Sequence, residues 1–413
     1  GMRLLVLGAG GVGAAITGLA SQRAFVDLLV VADLDPARAA RAAQRTADSR
    51  VQSAQVDASD RSAIVALIAA HRIDTVVNAC EPRFNPPIFD AAFEAGCHYL
   101  DMAMHMSTPD RDRPYERCGL KLGDEQFARS EAWAERGLLA LVGMGVEPGL
   151  SDVFAMYAAR HLFSTIDEIG VRDGADLRVP GHGFAPTFSI WTTIEECLNP
   201  PVIWERDRGW FTTEPFSEPE LFHFPEGIGS VECVNVEHEE VLLMPRHIDV
   251  GRVTFKYGLG EEFIDVLRTL HKLGLDRTNP VPVRGVQVSP RDVVAACLPN
   301  PADLGDAMTG RTCAGTLVSG IGLDGRPRSS YLYQVVDNEW TMSRYGHQAV
   351  VWQTALNPVV ALELIAEGTW EGQGVRPPET FDPVPFLDRL DDFGAGWSID
   401  ERPPARTTMA QAA

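Results

Sequence analysis

Through the first hundred residues, apolar runs of strand length alternate with alanine-rich helical stretches. Strands are predicted over 3–7, 27–32, 51–56, 75–78 and 98–100, and helices over 12–24, 36–47, 59–70 and 87–95. This alternation is the pattern of βαβ units on a parallel sheet. A short apolar run at 138–142 adds a strand, and the glycine-rich stretch 143–149 leads into a helix over 152–161. From 166 to 333 the texture changes to short β-like runs broken by proline and glycine, with helices only at 261–273 and 290–297. Runs at 315–321 and 331–336 flank Asp324-Gly325, a strong hairpin signal. A helix over 348–367 follows. The tail is rich in Pro, Asp and Gly and carries Phe381, Phe386 and Trp397 as anchors. These elements predict an α/β fold. A Rossmann domain with a doubly wound parallel sheet spans 1–145, and a second α+β domain for substrate binding and dimerisation spans 146–345. Residues 346–413 pack back on the first domain.

At 413 residues, with 45% hydrophobic and 23% charged side chains, the chain is too long for a single small module and has the composition of a folded globular protein. Its formal charge of −21 repels phosphate backbones and anionic lipid heads, so neither nucleic acid nor a membrane is expected as a partner. No apolar run reaches the ~18 residues of a membrane helix. The 7 cysteines are scattered singly, without a CxxC pair or zinc-like spacing. That predicts free thiols, no metal site and a cytoplasmic protein.

Gly8-Ala9-Gly10-Gly11-Val12-Gly13 is a GxGxxG that follows a predicted strand and opens a predicted helix, the context that makes this motif specific for a dinucleotide. Gly8 permits the tight turn, Gly10 removes a Cβ from the path of the pyrophosphate, and Gly13 lets helix and strand approach. The N–H groups of Gly11 and Val12, at the helix start, face the anion. Asp33, twenty residues beyond Gly13 at the end of the second strand, is placed to accept a ribose hydroxyl. Its charge opposes a 2′-phosphate and favours NAD(H) over NADP(H). Asp57 ends the third strand and either faces the adenine or serves the start of the next helix. Asn78, Ala79 and Cys80 end the fourth strand, on the ligand edge of the sheet, where they can meet the nicotinamide ribose.

The GAGGVG fingerprint, Val77-Asn78-Ala79, AAFEAGCHYLDMA at 91–103 and GMGVEPGLSDVFAMYAA at 143–159 together resemble the saccharopine dehydrogenase family over nearly the whole chain. GHGFAPTFSIWTTIEE at 181–196, GWFTTEPFSEPELFHFPE at 209–226, VEHEE at 236–240, LPNPADLG at 298–305 and GRTCAGTLVSGI at 310–321 are most similar to its carboxynorspermidine synthase branch. The resemblance implies an oxidoreductase acting on a CH–NH bond, with an amino-acid semialdehyde and a diamine condensing to an imine that a nicotinamide reduces. It also implies a homodimer, and it leaves NADP(H) open as the cofactor. A saccharopine or lysine type amino-acid dehydrogenase is the alternative reaction, and a non-catalytic dinucleotide sensor the alternative of another class. Three departures stand out. Ala32-Asp33 replaces the small polar residue and arginine of NADPH users, Glu147 replaces an aspartate of the family's DPG motif, and the 80–87 loop differs.

Such chemistry needs carboxylates for ammonium groups, a cation for the substrate carboxylate and a proton carrier. Glu147 and Asp152 are the acidic candidates, against the readings of a hinge brace and a helix-dipole acid. His105, past the fifth strand, is either a proton shuttle or an ordinary loop histidine. His182 lies between two glycines that permit close approach to a ligand. His238-Glu239-Glu240 lacks the second histidine of HExxH, since Leu242 stands there, so zinc protease chemistry is rejected. The resemblance instead places Glu239 or Glu240 on amine groups, against the reading of a solvated face. Arg246, Arg252 and Lys256 are candidates for the substrate carboxylate. Phe184, Phe188 and Trp191 either shape an amine pocket or pack in the core.

Overall fold

The computed structural model describes residues 1–182, 184 and 190–404. Strands β1 (Met2–Leu7), β2 (Val26–Asp33), β3 (Val51–Gln55), β4 (Thr75–Asn78), β5 (His98–Asp101) and β6 (Leu139–Leu141) form one parallel sheet, which a later strand, Gly374–Arg376, extends beside β6. The strand order is 374–376, β6, β5, β4, β1, β2, β3. It reverses between β1 and β4, and a crevice for ligand lies outside the carboxyl ends of the strands at such a point. Helices cover both faces of a sheet of this kind, so its strands read as unbroken apolar runs. Leu4, Leu5, Val6 and Leu7 are all buried.

The second sheet contains β7 (Phe163–Ala175), β8 (Val202–Glu205), β9 (Gly209–Thr212), β10 (Glu220–Phe224), β11 (Gly229–Asn235) and β12 (Val250–Gly258). After a small separate hairpin, β13 (Val281–Val283) and β14 (Val286–Val288), the sheet continues with β15 (Arg311–Gly322) and β16 (Pro327–Asp337). With Gly374–Arg376 counted as β17, the last strand is β18 (Ser398–Arg402). The order is β10, β11, β12, β7, β15, β16, β18, with the β8–β9 hairpin attached to β12. β7 and β12 run parallel, and Arg172 lies beside Lys256 while Asp173 lies beside Tyr257. Successive side chains of a strand point to opposite faces. The two cations therefore share one face, and Asp173 and Tyr257 share the other.

The expected α/β fold, a Rossmann sheet followed by a second mixed domain, is the architecture observed. Two segments expected to be β-like are helices, Ile190–Leu198 and Glu240–His247. In the first, Thr192, Thr193 and Ile194 imitate a strand, yet the buried Ile194, Cys197 and Leu198 fall at helical spacing. In the second, every residue from Glu240 to Met244 is buried, so no polar face marks the period. The helix Ala349–Ala366 corrects a further expectation. It has 18 residues and is apolar enough by composition to cross a membrane. Here it is a core helix, 78% buried, packed on the helix Gly11–Ser21. Its extent agrees with the expected helix, and buried Gln353 and Asn357 interrupt its apolar run. The tail divides between the sheets, 374–376 joining the first and 398–402 the second.

Candidate active site

The glycine loop between β1 and the helix Gly11–Ser21 is built for close approach. A Cβ on Gly13 would lie 1.7 Å from the Gly8 carbonyl oxygen, and one on Gly8, whose φ is +100°, would lie 2.7 Å from that of Ala79. Gly10 differs, because a Cβ there meets nothing within 4 Å. It caps the helix with no side-chain hydrogen bond, which leaves the first-turn N–H groups of Gly11, Val12 and Gly13 for an anion. These residues fit a dinucleotide pyrophosphate, and Asp33 reinforces the loop. Its Oδ2 accepts from Ala9 N at 2.8 Å and its Oδ1 from Asp35 N at 2.8 Å.

Other expected cofactor residues have local duties. Asp57 is exposed and accepts from the backbone N–H and hydroxyl of Ser59 at 2.9 and 2.6 Å, which lowers its pKa; this is a turn leading to the next helix. The Asn78 side chain is buried, donating to Tyr99 Oη at 3.1 Å and accepting from Cys80 N at 3.0 Å. The Ala79 N–H is taken as well, donating to the Leu7 carbonyl at 2.8 Å. Burial first, then the Asp33 and Glu81 charges, push the Cys80 thiol up to about 12.

The ends of β5 and β6 meet the second domain at this same edge. Gly149, at φ +131°, turns the chain into the helix Leu150–His161, and a Cβ there would lie 2.0 Å from the Gly145 carbonyl oxygen. The segment Glu237–Glu240 clips the loop after β5. Glu239 Oε2 accepts from Met104 N at 3.1 Å and Glu237 Oε2 from Ser107 Oγ at 2.6 Å. Between Glu237 and Glu239 the neighbouring His238 turns inward, 1% exposed and stacked on Phe255. Its Nδ1 lies 2.5 Å from Glu240 Oε1 and its Nε2 lies 3.1 Å from Tyr257 Oη. Tyr257 donates to Glu196 Oε2 at 2.7 Å.

Burial alone would lower the His238 pKa, but Glu240, Glu196 and Glu239 outweigh it and raise the imidazole to about 10. Three acids of this region are raised above the ordinary carboxylate range. Burial lifts Glu239 to about 8 and Asp173 to about 7, and burial together with Asp173 holds Glu147 well above its usual range. Glu147 Oε1 is buried with no hydrogen-bond partner. Glu196, Glu239 and Glu240 thus converge on one buried cation, with Asp173 nearby and Glu147 against Asp173. Arg172 and Lys256, on the other face of the sheet, are held by Glu220 at 2.8 and 3.3 Å.

The expected Glu147 and Glu239 belong to this cluster, and Asp152 borders it through Ser151, whose hydroxyl reaches both Asp152 Oδ1 and Glu240 Oε2. Asp152 also accepts from Gly149 N at 2.9 Å, so it does serve the helix start. His105 does not reach the cluster; its Nε2 lies 2.9 Å from Glu125 and its Nδ1 3.0 Å from the Met106 carbonyl. His182 is exposed on its loop. Arg246 packs over Phe127 and Trp210, and Arg252 pairs with Glu218 at 2.6 Å on the exterior. Phe184 stacks near Phe263 and Trp191 lies under Arg291, while Phe188 lies outside the described residues. Sequence reasoning missed Asp173, Glu196, Tyr257 and the inward His238. The one available signal was polar Arg172-Asp173 directly after the short apolar stretch Ile169-Gly170-Val171 of β7. Among the described residues no group of three or more His, Cys, Asp or Glu is arranged to hold a metal ion.

Residues 4–141 match the family model described as the saccharopine dehydrogenase NADP binding domain, and residues 145–395 match the saccharopine dehydrogenase C-terminal domain. A carboxynorspermidine synthase of Vibrio alginolyticus is 30% identical over 420 residues, covering 99% of each chain. A carboxyaminopropylagmatine dehydrogenase of Synechocystis is 30% identical over 399 residues, covering 96% of each. The solved saccharopine dehydrogenase (L-Glu forming) of Saccharomyces cerevisiae superposes with a TM-score of 0.69 at 14% identity, covering 98% of this chain and 100% of that one, a likeness of fold.

Proposed function

The chain belongs to the saccharopine dehydrogenase family and is a nicotinamide-dinucleotide-dependent oxidoreductase, and from that premise we propose that it reductively condenses an amino-acid semialdehyde with a diamine or a related cationic amine. The observation that carries this reading is the charge imbalance at the domain junction. Carboxyls in such a setting stay protonated unless a cation pairs with them, and here Glu240, Glu196 and Glu239 share the single imidazolium of His238, Glu147 and Asp173 lie against each other, and both nearby cations sit behind the sheet. A cationic amine supplies the missing charge, and its N–H groups supply donors for an oxygen such as Glu147 Oε1. The names of the Vibrio and Synechocystis relatives, both built on polyamine-like molecules, agree with an amine substrate.

When bound, the dinucleotide supplies the hydride that reduces the imine carbon. The chain does the rest. Glu147 and Asp173 hold the attacking amine and take its proton, a role suited to carboxyls whose pKa values lie far above the ordinary range. Tyr257, hydrogen-bonded to both His238 and Glu196, delivers the proton that lets the carbinolamine lose water. The cytoplasm is the proposed location, in keeping with seven unpaired thiols. A homodimer is the proposed assembly.

The test is parallel initial-rate oxidation of NADH and NADPH with aspartate β-semialdehyde alone, then with putrescine, then with 1,3-diaminopropane. Turnover that needs both aldehyde and diamine is the expected result. Turnover only with lysine or saccharopine and the oxidised cofactor would replace this reading with an amino-acid dehydrogenase. NADH is the expected donor, because no cation stands in the Ala32–Asp35 turn and Leu34 there is 65% exposed. The double change Asp33→Ser and Leu34→Arg should shift the NADPH to NADH ratio of kcat/KM by about tenfold or more. Because Asp33 also braces Ala9, affinity for both cofactors should fall. An unchanged ratio would remove Asp33 from the ribose site.

A further inference from the structure

A cavity of about 890 Å³ opens at the end of the second sheet opposite to Asp173, where β7 and β12 begin. Its wall includes Met156 and Arg160 of the helix Leu150–His161, Thr165 of β7, His247, Arg376 at the end of β17 and Glu379 beyond it. Glu379 is 1% exposed, and neither of its oxygens has an ordinary hydrogen-bond donor. It faces Asp152, which is fully buried and whose Oδ2 is likewise without a donor. Two carboxyls in contact satisfy each other by sharing a proton. From this pair a continuous line runs to the acidic junction. Ser151 Oγ lies 3.3 Å from Asp152 Oδ1 and 2.9 Å from Glu240 Oε2. Glu240 Oε1 lies 2.5 Å from His238 Nδ1, and His238 Nε2 lies 3.1 Å from Tyr257 Oη.

We propose that Glu379, Asp152, Ser151, Glu240 and His238 form a proton relay that carries protons from water in this cavity to Tyr257 at the imine-forming site. The proposal rests on the reductive condensation above. In that reaction an aldehyde, a primary ammonium ion, a hydride from the reduced dinucleotide and one proton give a secondary ammonium ion, the oxidised dinucleotide and water. The carbonyl oxygen leaves as water, the two hydride electrons form the new C–H bond, and one proton is consumed in each turnover. The substrate itself fills the junction, so solvent there cannot serve. The relay moves one proton by one hop at each link, and Glu379 is refilled from the cavity. Asp152, Ser151 and Glu379 act through others and are positioning and proton-carrying residues; none of them touches the substrate.

Glu379→Gln keeps the shape and can donate an N–H to Asp152, but it cannot pass a proton. Its kcat is expected to fall by about tenfold or more, with KM for the diamine and the dissociation constant of the dinucleotide within about twofold of wild type. The solvent deuterium isotope effect on kcat should rise, and imidazole, small enough to enter the cavity, should restore part of the rate. Thr165→Trp narrows the cavity from an exposed wall position without touching the relay, and it should show the same isotope effect with its folding intact. Infrared spectra of the cofactor-free protein should show a protonated carboxyl band that Glu379→Gln removes. If the wild type turns over while Glu379→Gln and Thr165→Trp keep its kcat and isotope effect, the relay is wrong and the condensation stands. If the wild type does not turn over with aldehyde and diamine, the condensation fails, and the infrared band alone decides whether the carboxyl pair shares a proton.

Discussion

Replacing His238 with asparagine is expected to lower turnover by about 10²–10⁴-fold and to remove about 3–5 kcal/mol of stability. Both effects have one cause. His238 is the buried cation on which Glu240, Glu196 and Glu239 converge, and asparagine keeps a polar side chain of similar reach while leaving those carboxylates uncompensated. The wild-type imidazole, held at about 10, is charged at neutral pH, where most of its contribution remains, since that contribution is complete below about 6.5 and is lost as pH rises through about 10. Tyr257→Phe separates the two effects. It removes the hydroxyl between His238 and Glu196 but no charge, so turnover should fall while the melting temperature changes little. Thermal melts and steady-state rates of the two variants decide the matter. A His238→Asn protein that turns over like wild type would show that the imidazole only neutralises the cluster.

The first half of this site was readable because its chemistry lies in consecutive residues. The glycine loop and Asp33 keep their spacing whatever the rest of the chain does, and the turn they build is the one their residue types require. The acidic junction was half readable. Glu147 and Asp152 stood out because prolines and glycines flank them, and Glu239 because it lies in an acidic run. Asp173 was hidden in a long strand, Glu196 in a helix that imitates a strand, and Tyr257 in a run read for its lysine. Strand register alone puts Tyr257 beside Asp173 and sends Lys256 to the other face. A one-residue shift between β7 and β12 would exchange acid for base at the site, and pairings of that kind are not written in either strand by itself. Asn78 and His105 illustrate the converse. Both lie at strand ends where ligands bind, yet each is held by a neighbour brought in by the fold, Tyr99 for one and Glu125 for the other.

The ligand-free protein should lose stability as pH rises from about 6.5 to about 8.5, by roughly 5 °C in melting temperature. Four acids set the sign, Glu237, Glu239 and Glu379 buried and Asp173 half-buried. Asp173, Glu237 and Glu379 are raised to about 7 and Glu239 to about 8, in each case by burial first. In the unfolded chain all four are already ionised at pH 6.5. The folded protein therefore holds more protons than the unfolded chain across this window, and stability falls wherever that is so. His238 acts in the same direction, because its folded value of about 10 exceeds the unfolded one near 6.5; its contribution is complete below the latter and declines through the former. His98, His247 and His347 are lowered by burial and act oppositely, but only below about 6.5, where the unfolded imidazole takes up its proton. Carboxylates lowered by arginine partners, such as Glu218 and Glu363, change the balance only under more acidic conditions. A diamine that binds the junction should reverse the trend, since it favours the ionised acids and binds only the folded state. Melts at pH 6.5, 7.5 and 8.5, with and without putrescine, test both halves. A melting temperature that rises with pH in the free protein would mean that these carboxyls are ionised in the fold, and a putrescine effect equal at all three pH values would mean that the amine binds elsewhere.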